Sequence, residues 1–363
     1  MSAAHWRRAM KTGTVPTAAL VWAVGEPGAA APEARSLARR LYDSIAPWEV
    51  VTLIALLVVP FVITPFLTFQ VASQALILGL IALSLSFLAG YGGMVSLAQM
   101  TVAGIAGYAL AVLGTSSYAD ISLGWRWYIA VPFAVIIAVL CSAGIGWLSV
   151  RTEGIYTIMI TLAIGVAFYY LVLQNYSVFN GFQGLREIKA PVIWGVNMRD
   201  PLPYYFLCLF WALAGYCFIC YLVRAPFGMA LQGIRDNPRR MASLGFNVVA
   251  HRVAAYAVAG LLAAVGGVLL AWYNALMSPG SVGTGWLINI LIIAVLGGVK
   301  HPLGAFLGAL IFVLLQTFAI DVISRERFNL VIGSVFLAIV LFSPDGLLGL
   351  WAKLRLRFGS GKP

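Results

Sequence analysis

Residues 69–90 read FQVASQALILGLIALSLSFLAG, with no Asp, Glu, Lys, Arg, His or Pro among them. A helix of about 20 mostly apolar residues matches the ~30 Å hydrocarbon core of a bilayer. This run carries no charged stripe for water, so as a helix it is apolar all round. Nine further apolar runs flank it, at 48–66, 94–114, 127–150, 155–175, 204–223, 253–275, 286–299, 303–320 and 329–343. Tyr91-Gly92-Gly93 separates the second run from the third. The expectation is an all-α, polytopic membrane protein with about ten transmembrane helices. The eighth and tenth runs are short, which suits broken or partly re-entrant helices.

Composition supports lipid as the solvent. Of the 363 residues 62% are hydrophobic and 10% charged, against about 25% charged in soluble domains. The 37 glycines are scattered among apolar residues, as close helix packing in membranes requires. The net charge of +11 does not read as a nucleic-acid surface, because the basic residues cap apolar runs and form no stripe interleaved with aromatics. It reads as topology. With the N-terminus inside, 17 of the 23 Lys and Arg residues fall on the cytoplasmic side, as the positive-inside rule demands. Removing one run would set the basic 224–252 loop and the basic tail on opposite sides. Ten spans with both termini cytoplasmic therefore fit best. Residues 1–47 read as a mobile cytoplasmic extension, with Arg35, Arg39 and Arg40 placed to meet lipid headgroups. Residues 48–350 read as the transmembrane domain, and 351–363 as a cytoplasmic tail.

No Asp, Glu, Lys, Arg or His lies deep in any run. Such residues mark proton relays and ion sites in membrane proteins, so a proton-coupled pump is disfavoured. The chain also lacks a GxxxxGK[ST] phosphate loop, an HExxH helix and a GxSxG elbow. His5, His251 and His301 are isolated, and Cys217-x-x-Cys220 has no second pair or nearby His. No catalytic residues, metal site or bound cofactor are expected. The energy for active transport must come from a partner.

The longest basic loop, 224–252, reads RAPFGMALQGIRDNPRRMASLGFNVVAHR. Asp236 or Asn237 can cap a helix, Pro238 suits its first position, and residues 238–244 make about two turns. Gly245 suits a left-handed stop. Two readings stay open from the residues: a docking surface for a protein partner, or a charged loop held at the headgroups. Inside the spans, Gly92, Gly93, Ser96, Gln99, Thr101, Tyr108, Thr157, Thr161 and Asn289 are candidates to line a pathway. The same residue types also serve helix–helix hydrogen bonding. Glycine pairs at Gly92-Gly93 and Gly297-Gly298, each followed by a small-residue helix, recur five spans apart. That odd offset suggests an inverted repeat of spans 2–5 and 7–10.

Several landmarks resemble the permease subunits of ABC importers for branched-chain amino acids, the LivM-like family. They are Gly90-Tyr91-Gly92-Gly93-Met94-Val95-Ser96-Leu97, Arg151-Thr152-Glu153-Gly154-Ile155-Tyr156 and Arg224 with Pro226-Phe227-Gly228. Further landmarks are Ile234-Arg235-Asp236-Asn237, Leu296-Gly297-Gly298 with Pro302-Leu303-Gly304-Ala305, and Ser343-Pro344-Asp345-Gly346. The resemblance spans about residues 50–350. It implies a permease in the bacterial inner membrane, paired with a second homologous permease, two cytoplasmic ATPases that bind ATP-Mg, and an extracytoplasmic substrate-binding protein. In that family the loop helix couples to an ATPase. Carried over here, the coupling residues are Arg235, Asp236, Asn237, Pro238, Arg239, Arg240, Met241, Ala242, Leu244 and Gly245. Arg239-Arg240-Met241 stands where many importers carry Glu-Ala-Ala, and Asn180-Gly181 where Thr-Gly-Gly is usual. These departures bear on substrate, with urea or short amides as the alternative to amino acids. A facilitator without ATP is the competing class; it would have no use for a docking helix.

Overall fold

The structure is a computed structural model. It describes residues 56–57, 60–61, 64–116, 121–152, 154–193, 195–322, 333–334, 337, 346–347 and 349. The chain divides into two units, Met1–Val59 and Pro60–Pro363, and almost all described residues belong to the second. The N-terminal extension, the C-terminal tail and most of the first and tenth apolar runs lie outside the described residues.

The eight remaining runs each form helix. They are α1 (Pro65–Tyr91), α2 (Gln99–Leu113), α3 (Trp127–Ser149), α4 (Ile155–Gln174), α5 (Pro201–Arg224), α8 (Val248–Asn274), α9 (Thr284–Gly297) and α10 (Pro302–Val322). Two helices of the connector, α6 (Pro226–Asp236) and α7 (Pro238–Ser243), lie between α5 and α8. Short helical turns at Tyr176–Phe179, Gly181–Gln183 and Pro279–Val282 lie between these elements, with four two-residue strands: β1 (Leu185–Arg186), β2 (Val192–Ile193), β3 (Val196–Asn197) and β4 (Leu276–Met277). β1 pairs antiparallel with β4, and β2 with β3. The all-α membrane class expected from the sequence holds.

Among the described residues α1, α3, α4, α5 and α8 are each long and apolar enough to cross a membrane. α3 shows the expected ends: Trp127 and Tyr128 at its start, and the Arg151 guanidinium 4.2 Å over the Trp147 ring at its finish. Aromatic and basic residues favour the two membrane interfaces. The third run differs from its expected bounds of 94–114. Its helix begins only at Gln99, because the chain turns through Gly92 and a left-handed Gly93 (φ +67°) and stays non-helical to Ala98. The resulting 15 residues reach only about 22 Å, short of the hydrocarbon core. The eighth and ninth runs form a pair bent by 117°.

Small residues decide which helices meet. α3 turns Ala130, Ala134, Ala138, Ser142 and Gly146 inward. There Ser142 Oγ donates to Tyr256 O of α8 at 2.7 Å. α9 and α10 touch backbone to backbone, since a Cβ on Gly304 would come within 2.4 Å of Gly298 O. At the corner itself Gly298 takes φ +107°, which a side chain would resist. Close approach through small residues is the usual membrane solution where water supplies no hydrophobic drive.

The order of lengths repeats. α1, α2 and α3 have 27, 15 and 23 residues; α8, α9 and α10 have 27, 14 and 21. The packing repeats with it: α1 lies on α10 as α8 lies on α3, α2 on α3 as α9 on α10, and α1 meets α8. The two triplets thus correspond in length and in packing partners; whether they are inverted copies is decided by their superposition. The partner of α4 in such a repeat is the tenth run, outside the described residues.

Candidate functional site

The 224–252 connector is built by local chemistry at each turn. α5 ends at Arg224, Ala225 is extended, and Pro226 opens α6. The fold-back is tight enough that a Cβ on Gly228 would lie 2.2 Å from Leu222 O. Gly228, Ala230, Leu231 and Ile234 form the buried face of α6, while Gln232 Nε2 donates to Val223 O and Gly228 O at 3.2 Å. Asn237 caps α7, its Oδ1 accepting from the Arg240 N–H at 3.0 Å, and Pro238 holds the first position. Gly245 closes the helix at φ +89°, and the Phe246 N–H reaches back to Met241 O at 3.1 Å. Asn247 then caps α8 through the Ala250 N–H at 3.0 Å. The His251 ring stacks on Phe227 at 5.9 Å and meets the edge of Phe246 at 5.6 Å. Each turn is thus satisfied locally, which makes the connector a firm element and not a slack loop.

The expected coupling residues divide by direction. Arg239, Arg240, Ala242, Leu244 and Gly245 are exposed, with Leu244 67% exposed despite its apolar side chain. Met241 packs back, its sulfur against Gly233 of α6. Asn237 and Pro238 set the turn. Asp236 is exposed and pairs with Arg235 at 2.9 Å. Arg235 also faces the bundle: its guanidinium donates to Gly90 O of α1, and its Cγ occupies the space over Gly93. No sequence signal marked that contact, because the two residues stand 145 positions apart.

Of the candidate pathway residues, Gly92, Gly93, Ser96 and Gln99 lie in or just after the break that follows α1, whereas Tyr108 sits further along α2 and Asn289 in α9. Ser96, Gln99, Thr101, Tyr108, Thr157 and Thr161 are all buried, and Asn289 is half-buried. Gly92 packs on Leu88 O, and Gly93 lies under Arg235. Bonds tie several of them together. Thr161 Oγ1 accepts from the Leu97 N–H at 3.1 Å, joining α4 to the segment before α2. Ser84 Oγ donates to Gln99 Oε1 at 3.1 Å, joining α1 to α2. Thr161 and Thr157 also donate to carbonyls one turn earlier. Gln99 Nε2, Thr101 Oγ1 and Tyr108 Oη have no hydrogen-bond partner among the described residues. Thr101 faces Gly165 of α4, and Tyr108 is boxed edge-on by Phe168 and Phe179. Sequence reading missed Ser84, Ser149 and Tyr256 as members of this buried polar set; their apolar neighbours hid them. Every buried polar side chain among the described residues is uncharged.

Residues 67–340 match the family model described as the branched-chain amino acid transport system permease component. The chain belongs to this permease family. It is a multi-pass membrane transport subunit, not an enzyme. Within the curated relatives, the chain is 25% identical over 338 residues to the high-affinity branched-chain amino acid transport system permease protein LivM of Escherichia coli (strain K12), covering 85% of this chain and 77% of the relative. It is 25% identical over 310 residues to the probable branched-chain amino acid transport permease protein LivH of Methanocaldococcus jannaschii, covering 82% and 88%. A nucleoside ABC transporter permease protein, NupC of Lactococcus lactis, is 34% identical over 103 residues, covering 27% and 31%. No solved structure matches.

Proposed function

We propose that this chain is one permease subunit of an ATP-driven importer for branched-chain or other hydrophobic amino acids, seated in the bacterial inner membrane with both termini cytoplasmic. The observation that carries this reading is the capped α6–α7 connector, which displays Arg239, Arg240 and Leu244 to solvent. A rigid short helix that displays two arginines, followed at its end by an exposed apolar residue, suits insertion into a groove of a cytoplasmic ATPase. A facilitator has no use for such an element. Two ATPases binding ATP-Mg supply the energy that neither a phosphate loop nor an intramembrane charge supplies here. A second permease of the LivH kind completes the membrane part, and a binding protein delivers substrate from outside.

The mechanism is alternating access. ATP-dependent closure of the ATPase pair pushes the connector, and the two bundles α1–α3 and α8–α10 shift against each other as packed units. The neutral buried groups Gln99, Thr101 and Tyr108 suit a zwitterionic or apolar solute, which needs no fixed counter-charge. The amino-acid reading draws on coverage: the relatives named for branched-chain amino acids align over most of the chain, the nucleoside relative over a quarter.

The test is purification of the chain co-expressed with the genes beside its own, followed by reconstitution in proteoliposomes. Recovery of two ATPases and a second permease, with ATP-dependent uptake of radiolabelled leucine that excess isoleucine competes and urea does not, is the expected result. Uptake without ATP, or competition by urea alone, contradicts it.

A further inference from the structure

The break after α1 and the corner between α9 and α10 meet at one point. The last turn of α1, Phe87–Tyr91, is a π-turn. In a continuing helix the Met94 N–H would serve Gly90 O; here it goes to Leu88 O at 3.0 Å. Gly90 O is left to the guanidinium of Arg235, which arrives from the connector. The fit over Gly93 is close enough that a Cβ there would lie 2.5 Å from Arg235 Cγ. Gly90 in turn backs directly onto Val299 O of the α9–α10 corner, where a Cβ would come within 2.4 Å. Tyr91 Oη donates to Lys300 O at 3.4 Å. Gly346 packs on Gly298 from the far end of the chain.

We propose that Arg235 is a positioning residue that transmits movement of the connector to both helix breaks at once. The proposal rests on the importer reading above. Arg235 belongs to α6, so any displacement of the connector carries its guanidinium. That guanidinium holds a carbonyl with no helical donor, and the same segment is wedged against the α9–α10 corner. The contacts are backbone or close to it, so no flexible side chain stands between α1 and the corner to absorb the motion. Asp236 beside Arg235 fixes the direction of the guanidinium and offsets its charge. A stretch of α-helix would have satisfied Gly90 internally; the π-turn and the Gly92–Gly93 turn leave it open to the connector.

The experiment compares substrate uptake and ATP hydrolysis in the reconstituted complex of wild type, Arg235→Ala, Arg235→Lys and Gly93→Ala. Loss of one charge-assisted hydrogen bond at a coupling contact predicts that Arg235→Ala keeps hydrolysis within about twofold while uptake per ATP falls about tenfold. Arg235→Lys retains the stem over Gly93 and one donor, so it recovers part of the ratio. Gly93→Ala displaces the stem and lowers the ratio as Arg235→Ala does. A wild-type uptake-to-hydrolysis ratio in both alanine variants overturns the proposal. Should either variant fail to assemble, hydrogen exchange of residues 87–93 in the wild-type complex decides: altered protection on ATP binding supports transmission, and unchanged protection overturns it. If the wild-type complex itself does not import with ATP, the importer reading fails instead.

Discussion

α1 and α4 are about equally apolar, yet α1 is almost wholly buried within the protein while most of α4 is not. Apolarity places both in the bilayer and says nothing of which one forms the core. The difference lies in how each helix is surrounded. α1 buries Leu and Ile on every side and meets α8, α9 and α10, with Phe306 of α10 against its Gly79. α4 turns inward a narrow stripe of Thr157, Thr161, Gly165 and Val172 and leaves Tyr156, Met159, Tyr170 and Leu171 exposed. Burial in membranes follows shape and hydrogen bonds more than hydropathy, because lipid tails are as apolar as the side chains they would exchange with. A core built this way is sensitive to added atoms and tolerant of polarity at its rim.

Three substitutions sharpen or break that contrast. The largest effect is expected where core backbones touch. Gly304→Leu forces α10 off α9 and costs about 3 kcal/mol or more, seen as loss of the monodisperse, thermally stable protein in detergent. An intermediate effect is expected at the polar seam. Thr161→Val removes the acceptor of the Leu97 N–H and costs about 1 kcal/mol, read as a lower unfolding temperature with the fold retained. The smallest effect is expected on the outer face. Met159→Leu changes stability by less than about 0.5 kcal/mol. A larger loss there than at Gly304 would show that α4 is core and invert the comparison.

The connector adds a local case. Asn237→Ala removes the cap on the Arg240 N–H and destabilises α7 by about 1 kcal/mol, with faster hydrogen exchange at residues 238–243 and little change in α8.

Much of this was legible in the sequence. The runs from 69 to 320 became helices within a few residues of their expected bounds, since length and apolarity set them directly. The connector was legible for the same local reason: Asn237, Pro238 and Gly245 are cap and stop residues that act on their own backbone. The late start of α2 was not legible, because Met94 to Ala98 is as apolar as the helix it precedes and only the turn at Gly93 diverts it. Nor was the Arg235–Gly90 contact, which depends on a π-turn and on packing between distant segments. Hydropathy could not tell which of the candidate polar residues make helix–helix bonds, as Thr161 does, and which, like Tyr108, lack a partner among the described residues.

On the importer reading, ATP energy enters at the 224–252 connector. Charge reversal of the exposed pair, Arg239→Glu with Arg240→Glu, tests it in the reconstituted complex. The account predicts a subunit that still inserts and folds but no longer co-purifies with the ATPases, and whose ATP-dependent amino-acid uptake falls at least about tenfold. ATP-dependent uptake at the wild-type rate, with the ATPases still bound, would contradict it.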